Sequence, residues 1–216
     1  FVFITGITKF SQLSIFSQLN NLNNISMLPQ YAAMCGITIK ELEDNFQEGI
    51  AVLAEKYHYS HKQVIDKLLY HYDGYHFAED SEGVLNPFSL LSAMNNRKFN
   101  NYWFSTGTPT FLVNMMRKFH TDLTEIDGSK AMQEDFDAPT ENMHNVLPLF
   151  YQSGYLTIKD YNPRSGMYTL GYPNEEVKVG LMRILIPFYV QSDPVPASNA
   201  CWDISEALMD GDIDKA

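Results

Sequence analysis

The chain has 216 residues and a formal net charge of −11, a balance that disfavours broad electrostatic capture of nucleic acid or anionic lipid. Its 45% apolar content is enough for a real core, as one large domain or two small ones. The two cysteines, Cys35 and Cys201, lie far apart, a lone pair gives no disulfide framework, and no apolar run approaches the length of a membrane span. A cytoplasmic protein with free thiols is therefore expected, with Cys35 a buried structural thiol.

Phe1-Val2-Phe3-Ile4-Thr5 is a run of β-formers that breaks at Gly6 and then offers Thr8, Lys9 and Ser11. Such a run is either an ordinary edge strand or a buried parallel strand delivering polar groups to a site at its carboxyl end. A second strand is expected near Tyr31–Cys35, ending at Gly36. Helical texture follows. Thr38-Ile39-Lys40-Glu41 and Ser60-His61-Lys62-Gln63 are capping boxes, and Phe46–Tyr57 carries one apolar face. Gly74 is placed to end a helix in the left-handed conformation. Asn86-Pro87 and Thr108-Pro109 each pair an N-cap with proline at the first helical position.

Residues 122–139 turn acidic and irregular and read as a connector. Thr140 is expected to cap a helix running through Tyr151. Tyr155–Lys159 and Met167–Leu170 read as a hairpin about the turn Asn162-Pro163-Arg164-Ser165-Gly166. Tyr172-Pro173-Asn174 then stops the second strand and caps a helix carrying Val177, Leu181, Ile184, Leu185 and Phe188. Helix, hairpin, helix is compatible with a winged-helix module. Pro194 and Pro196 mark a linker, and a new helical element starts at Cys201.

Several motifs carry chemistry on paper. The chain has no phosphate loop, no acid-terminated apolar strand and no GxGxxG, so the parts that grip a nucleoside triphosphate are missing. His58 and His61 straddle a helix boundary with no supporting ligands, and no metal site is expected. Glu176-Val177-Lys178 has the E-x-K spacing of metal-dependent nucleases, but that chemistry needs a strand, and here the triplet opens a helix. The segment Tyr70–Phe77 either stacks on a base or sugar or, more simply, packs its aromatics around a glycine-capped helix end. Tyr102–Thr110 is either a strand-like aromatic patch before a capped helix, or a Gly-x-Pro turn letting backbone approach a planar ligand.

Three segments taken in order, FVFITGITKFSQLSIFS at Phe1–Ser17, YDGYHF with NPFSLL between Tyr72 and Leu91, and YWFSTGTPTFLV at Tyr102–Val113, resemble the AAA-ATPase-like proteins of bacteria. These are P-loop ATPases related to the STAND-type NTPases, commonly fused to a C-terminal PD-(D/E)XK nuclease-like domain. The resemblance implies a mainly α chain with some β. Residues 1–36 would be the end of an α/β ATPase core carrying the sensor-1 strand, and 37–121 a helical lid. Residues 122–139 would be a connector, 140–191 a winged-helix-like module, and 192–216 a linker leading to the next domain. It places Thr5, Thr8 and Lys9 near the γ-phosphate or catalytic water, and Gly107, Thr108 and Pro109 on the adenine side of the lid. It further implies ATP and Mg²⁺ as cofactors of an intact parent protein, with the nucleotide-gripping core upstream and the nuclease-like domain downstream as partners within that parent. This chain alone is then expected to lack catalysis and to hold nucleotide weakly or not at all. The alternative is a non-enzymatic module that contacts protein or DNA through the winged-helix region, with Lys159, Arg164, Lys178 and Arg183 as a basic patch.

Overall fold

Capping chemistry decides where the helices begin. In the computed structural model, which describes Gly6 and residues 23–106, 110–121, 125–138 and 143–190, both expected capping boxes are formed. Thr38 Oγ1 accepts from the Glu41 amide at 3.2 Å while Glu41 accepts from the Thr38 amide at 2.9 Å, opening α1 (Ile39–Asn45). Ser60 and Gln63 repeat the exchange at 3.3 and 2.8 Å and open α3 (His61–Tyr72). Between them runs α2 (Gln47–Tyr57), closed by His58 at φ 55°. Asn86 accepts from the Ser89 amide and Pro87 follows, as expected for the start of α4 (Pro87–Asn96). Helices α1 to α4 pack around Leu42, Ile50, Leu53, Leu68, Tyr72 and Leu90, all fully buried.

The remaining described residues build a second core on a three-stranded antiparallel sheet of order β1-β3-β2. Strand β2 (Thr157–Asn162) and strand β3 (Met167–Gly171) form the expected hairpin, with Tyr168 and Leu170 of β3 turned inward. The third strand, β1 (Ser129–Ala131), and the short helix α6 (Gln133–Phe136) come from the stretch expected to be irregular. Helices α5 (Thr110–Lys118), α7 (Leu147–Gln152) and α8 (Glu175–Val190) complete the layer. Phe136 sits edge-on to Tyr151 at 4.7 Å and Tyr168 at 5.1 Å, joining α6, α7 and the sheet. The architecture is mainly helical with a small sheet.

Some expectations need correction. Residues 29–35 form a 3₁₀ turn at Pro29–Tyr31 and further turns, with i to i+3 hydrogen bonds such as Tyr31 N to Leu28 O, so they lie in no ladder. Cys35 is exposed, because it sits on this turn ahead of Gly36. Among the described residues, the helix expected from Thr140 starts at Leu147: Asn145 accepts the Leu147 amide, and Pro148 can occupy only a first helical turn. The patch around Trp103 is a 3₁₀ helix (Trp103–Thr106), not a strand. The expected strand at Phe1–Thr5, Thr140 itself, and the elements beyond residue 190 lie outside the described residues.

One extended segment serves both cores. Val84 bridges Tyr75 and Leu85 bridges Ile37, both antiparallel. Successive residues of extended chain point to opposite faces, so Val84 enters the sheet core while Leu85 enters the helical one. Gly74 lies at the same seam with φ +93°, and a Cβ there would stand 2.2 Å from the Pro173 carbonyl oxygen. Gly74→Ala is therefore expected to cost about 2–4 kcal/mol, from left-handed strain plus displacement of backbone. Urea unfolding measures it, and a loss below about 0.5 kcal/mol would contradict this account.

Candidate functional site

Thr5, Thr8 and Lys9, and Gly107, Thr108 and Pro109, all lie outside the described residues. What is described is the chain leading into the second group, and it is anchored by an unusual residue. Asn174 caps α8, accepting from the Val177 amide at 3.1 Å. Two positions later the Glu176 side chain is completely buried. Its Oε1 accepts from the Tyr102 amide and from the Trp103 amide, the latter at 3.0 Å.

A buried carboxylate without a cation is costly, and its tolerance needs an explanation. Here the positive ends of two helices converge on it, since Glu176 sits in the first turn of α8 and Ser89, also fully buried, in the first turn of α4. Burial raises the carboxyl pKa from its ordinary 4.5, opposed by the Ser89 hydroxyl and by the amides of Trp103 and Tyr102. The Ser89 hydroxyl thus acts on the carboxylate as a hydrogen-bonding group, although Glu176 Oε2 and Ser89 Oγ fall outside strict bonding geometry.

The same strap is held by packing. Phe104 lies where a Cβ on Gly180 would come within 2.1 Å of its ring, so α8 admits the ring only because residue 180 is glycine. Trp103 packs on Tyr155 at 4.9 Å and on Phe104 at 5.1 Å. Burial pushes the Tyr155 phenol up to about 12. On the helical side, the buried Tyr72 hydroxyl donates to Asn100 O at 2.9 Å and accepts from Asn100 N at 3.0 Å, fixing the chain just before the strap.

The aromatic segment after α3 crosses the seam as a structural joint. Asn174 Nδ2 donates to Asp73 O at 2.8 Å. Thr157 Oγ1 accepts from the His76 amide at 2.7 Å and donates to the His76 carbonyl at 2.9 Å, so one hydroxyl satisfies both backbone groups. His76 Nδ1 lies 2.8 Å from Ser81 O; a carbonyl only accepts, so Nδ1 carries the proton. Lys159 is the extra residue of a bulge in β2, between the pairs Ile158–Leu170 and Asp160–Thr169. Its ammonium donates to Pro173 O at 3.0 Å. Desolvation lowers the Lys159 pKa, against the opposing pull of Asp127 and Asp73. Lys159 is thus tied to the seam by its ammonium, and like Arg164, Lys178 and Arg183 it is exposed.

As expected from the helical spacing, Glu176 and Lys178 diverge, one buried and one exposed. Sequence reasoning weighed Glu176 only as a metal ligand, because its true partners lie 73 and 74 residues away. One signal was present: helical steps of four from Glu176 reach Gly180 and Ile184, which border the inward stripe Val177–Leu181. Among the described residues, no group of three or more His, Cys, Asp or Glu is placed to hold a metal ion. No described helix is long and apolar enough to cross a membrane.

The chain is 37% identical over 209 residues to an uncharacterized protein in the vnfD 5′ region of Azotobacter chroococcum mcd 1. That match covers 92% of this chain and 36% of the relative, so the chain spans about a third of the length of the curated protein it matches. No family model matches, and no solved structure matches.

The raised pKa of Glu176 has a direct consequence for stability. The folded chain holds this proton to higher pH than the unfolded chain does. The contribution is therefore complete below the ordinary carboxyl value of 4.5 and is lost as pH rises through the higher folded value. Glu176→Gln, a mimic of the protonated acid, is expected to gain stability relative to wild type between pH 4 and pH 7. Urea titrations of both proteins at several pH values check this; a difference independent of pH would contradict it.

Proposed function

We propose that this chain is an internal part of a bacterial AAA/STAND-like ATPase that works as a nucleotide-dependent switch. In this reading the opening segment is the sensor-1 strand, and α1 to α4 belong to the lid. The β2–β3 hairpin with the helices around it is the winged-helix-like module. Thr5 and Thr8 would polarise the catalytic water or sense the γ-phosphate, and Lys9 would offset phosphate charge. Gly107 and Pro109 would let backbone and ring lie against adenine, with Thr108 capping the helix that follows. ATP and Mg²⁺ would be gripped by the phosphate loop and acidic strand of an upstream core, and a nuclease-like domain would follow downstream.

The observation that carries this reading is the anchoring of the 102–104 strap. Backbone a few residues before the Gly-Thr-Pro segment is clamped to α8 by Glu176, so the chain leading to the proposed adenine contact is anchored on the sheet-bearing module. The relative, similar along nearly the whole chain yet far longer than it, is consistent with further domains in a parent protein. A second reading, in which the module contacts DNA or protein without catalysis, is favoured by the exposed Arg164, Lys178 and Arg183. A gel shift that weakens steeply with salt would support its DNA form.

Calorimetric titration with ATP–Mg²⁺ tests the main reading. The parent protein is expected to bind at micromolar concentration, and Lys9→Ala or Pro109→Ala in it to weaken binding about tenfold, the worth of one charge-assisted contact. The 216-residue chain alone is expected to bind weakly or not at all. A parent without nucleotide affinity, or micromolar binding by the isolated chain, would overturn it.

A further inference from the structure

Asp and Glu outnumber Lys and Arg by 26 to 15 in this chain, yet part of the helical core reverses the balance. Residues 55–71 and 95–102 carry five Lys and Arg side chains against Glu55 and Asp66. The same segments supply a row of rings. Tyr59 stacks on Tyr57 at 5.7 Å, and Tyr57 meets Phe99 at 5.2 Å. Phe99 in turn stacks on His71 at 6.1 Å, and His71 meets Tyr70 edge-on at 5.3 Å. The row draws on the end of α2, the link to α3, α3 itself and the chain after α4, so folding rather than one helical period assembles it. Tyr57, Tyr59 and Phe99 pack half-buried against the helical core, while Tyr70 is 60% exposed.

Cations lie along this row. Lys67 Nζ stands 5.7 Å from the ring centres of both Tyr59 and Phe99. Lys56 Nζ stands 5.5 Å from that of Tyr57 and donates to Arg97 O at 2.6 Å. Among the described residues, none of Lys56, Lys67, Arg97 and Lys98 lies within ion-pair distance of a carboxylate. A ring does not neutralise the ammonium above it, so that charge stays available to an anion. At the Tyr70 end the Glu175 carboxylate engages the phenol hydroxyl. We propose that this face binds single-stranded nucleic acid, with bases on the exposed rings and phosphates on Lys56, Lys67, Arg97 and Lys98. An acidic peptide would use the cations but give the rings nothing to stack on, and a duplex keeps its base faces within its own stack. The chain's net negative charge disfavours a strand elsewhere on the surface, which confines it to this face. Arg164, Lys178 and Arg183 belong to the sheet-bearing half, so this face is a separate one, and it needs no nucleoside triphosphate.

Fluorescence anisotropy of a labelled oligothymidine, about fifteen nucleotides long to fill one site, tests this on the 216-residue chain. At low salt the dissociation constant is expected at about 10 µM, weakening with salt at a log–log slope of about −3 for four phosphate contacts. Lys56→Gln combined with Lys67→Gln is expected to weaken binding about tenfold and to bring the slope to about −1.5. Tyr70→Ala is expected to cost about tenfold and Tyr70→Phe less than about twofold, because the ring and not the hydroxyl stacks. Arg164→Gln, Lys178→Gln and Arg183→Gln together are expected to leave affinity within about twofold, as changes at an independent face. Binding absent below about 1 mM at low salt, or as tight for a duplex or for polyglutamate, would refute the proposal. So would an affinity untouched by the Lys56, Lys67 and Tyr70 variants.

Discussion

A buried carboxylate with no counter-cation sits where the two cores of this chain touch, and much of the architecture is arranged around it. Glu176 is placed by the first turn of α8, faced by the first turn of α4, and occupied by two amides of the strap. Each of these supplies partial positive charge at short range. The burial of a charge is tolerated because backbone dipoles of three separate elements are held in place by secondary structure around it. The cost that remains shows as a raised pKa.

The seam around this group illustrates how different polar devices divide the labour. Thr157 satisfies both backbone groups of His76 and so acts as a short piece of ladder between the joint and β2. The bulge at Lys159 turns a side chain that would have alternated outward toward the Pro173 carbonyl, next to the close approach of Gly74. Glu79 accepts from the Tyr168 hydroxyl, tying the 73–86 loop to the central strand. These contacts are local in space and remote in sequence, and they add polar ties to the apolar packing of Tyr75, Val84 and Leu85. The strap is built differently: two of its amides share one carboxylate oxygen, and its three rings pack against the two cores.

Much of the helical half was legible in the sequence, because its signals act over three or four residues. The boxes at Thr38 and Ser60 and the Asn86-Pro87 start all formed where spacing placed them, whereas α3 ends in an extended Asp73 and Gly74, at positive φ, serves the close approach to Pro173. The hairpin and the Asn174 cap were equally local. Strand β1 was not legible: three residues, one of them fully buried, carry no period, and only pairing with β3 makes them a strand. The 29–35 segment failed in the opposite sense, since Pro29 starts a 3₁₀ turn and, among the described residues, its apolar run pairs with no strand. For the candidate site, the residues that the family resemblance singled out and those that the seam brings together are different sets. Local spacing carries no information about the second set.

By itself the sequence determined the ends of its helices, the hairpin and the mainly helical composition, because caps, turns and amphipathic spacing are satisfied within a few residues. The tertiary structure alone decided that Val84 and Leu85 divide the chain into two cores, that Lys159 bulges toward Pro173, and that Glu176 is sealed against the Tyr102 and Trp103 amides. Burial and long-range hydrogen bonding depend on which elements meet. A glutamate at a helix start reads as a solvated first-turn acid until another segment, more than seventy residues earlier, closes over it.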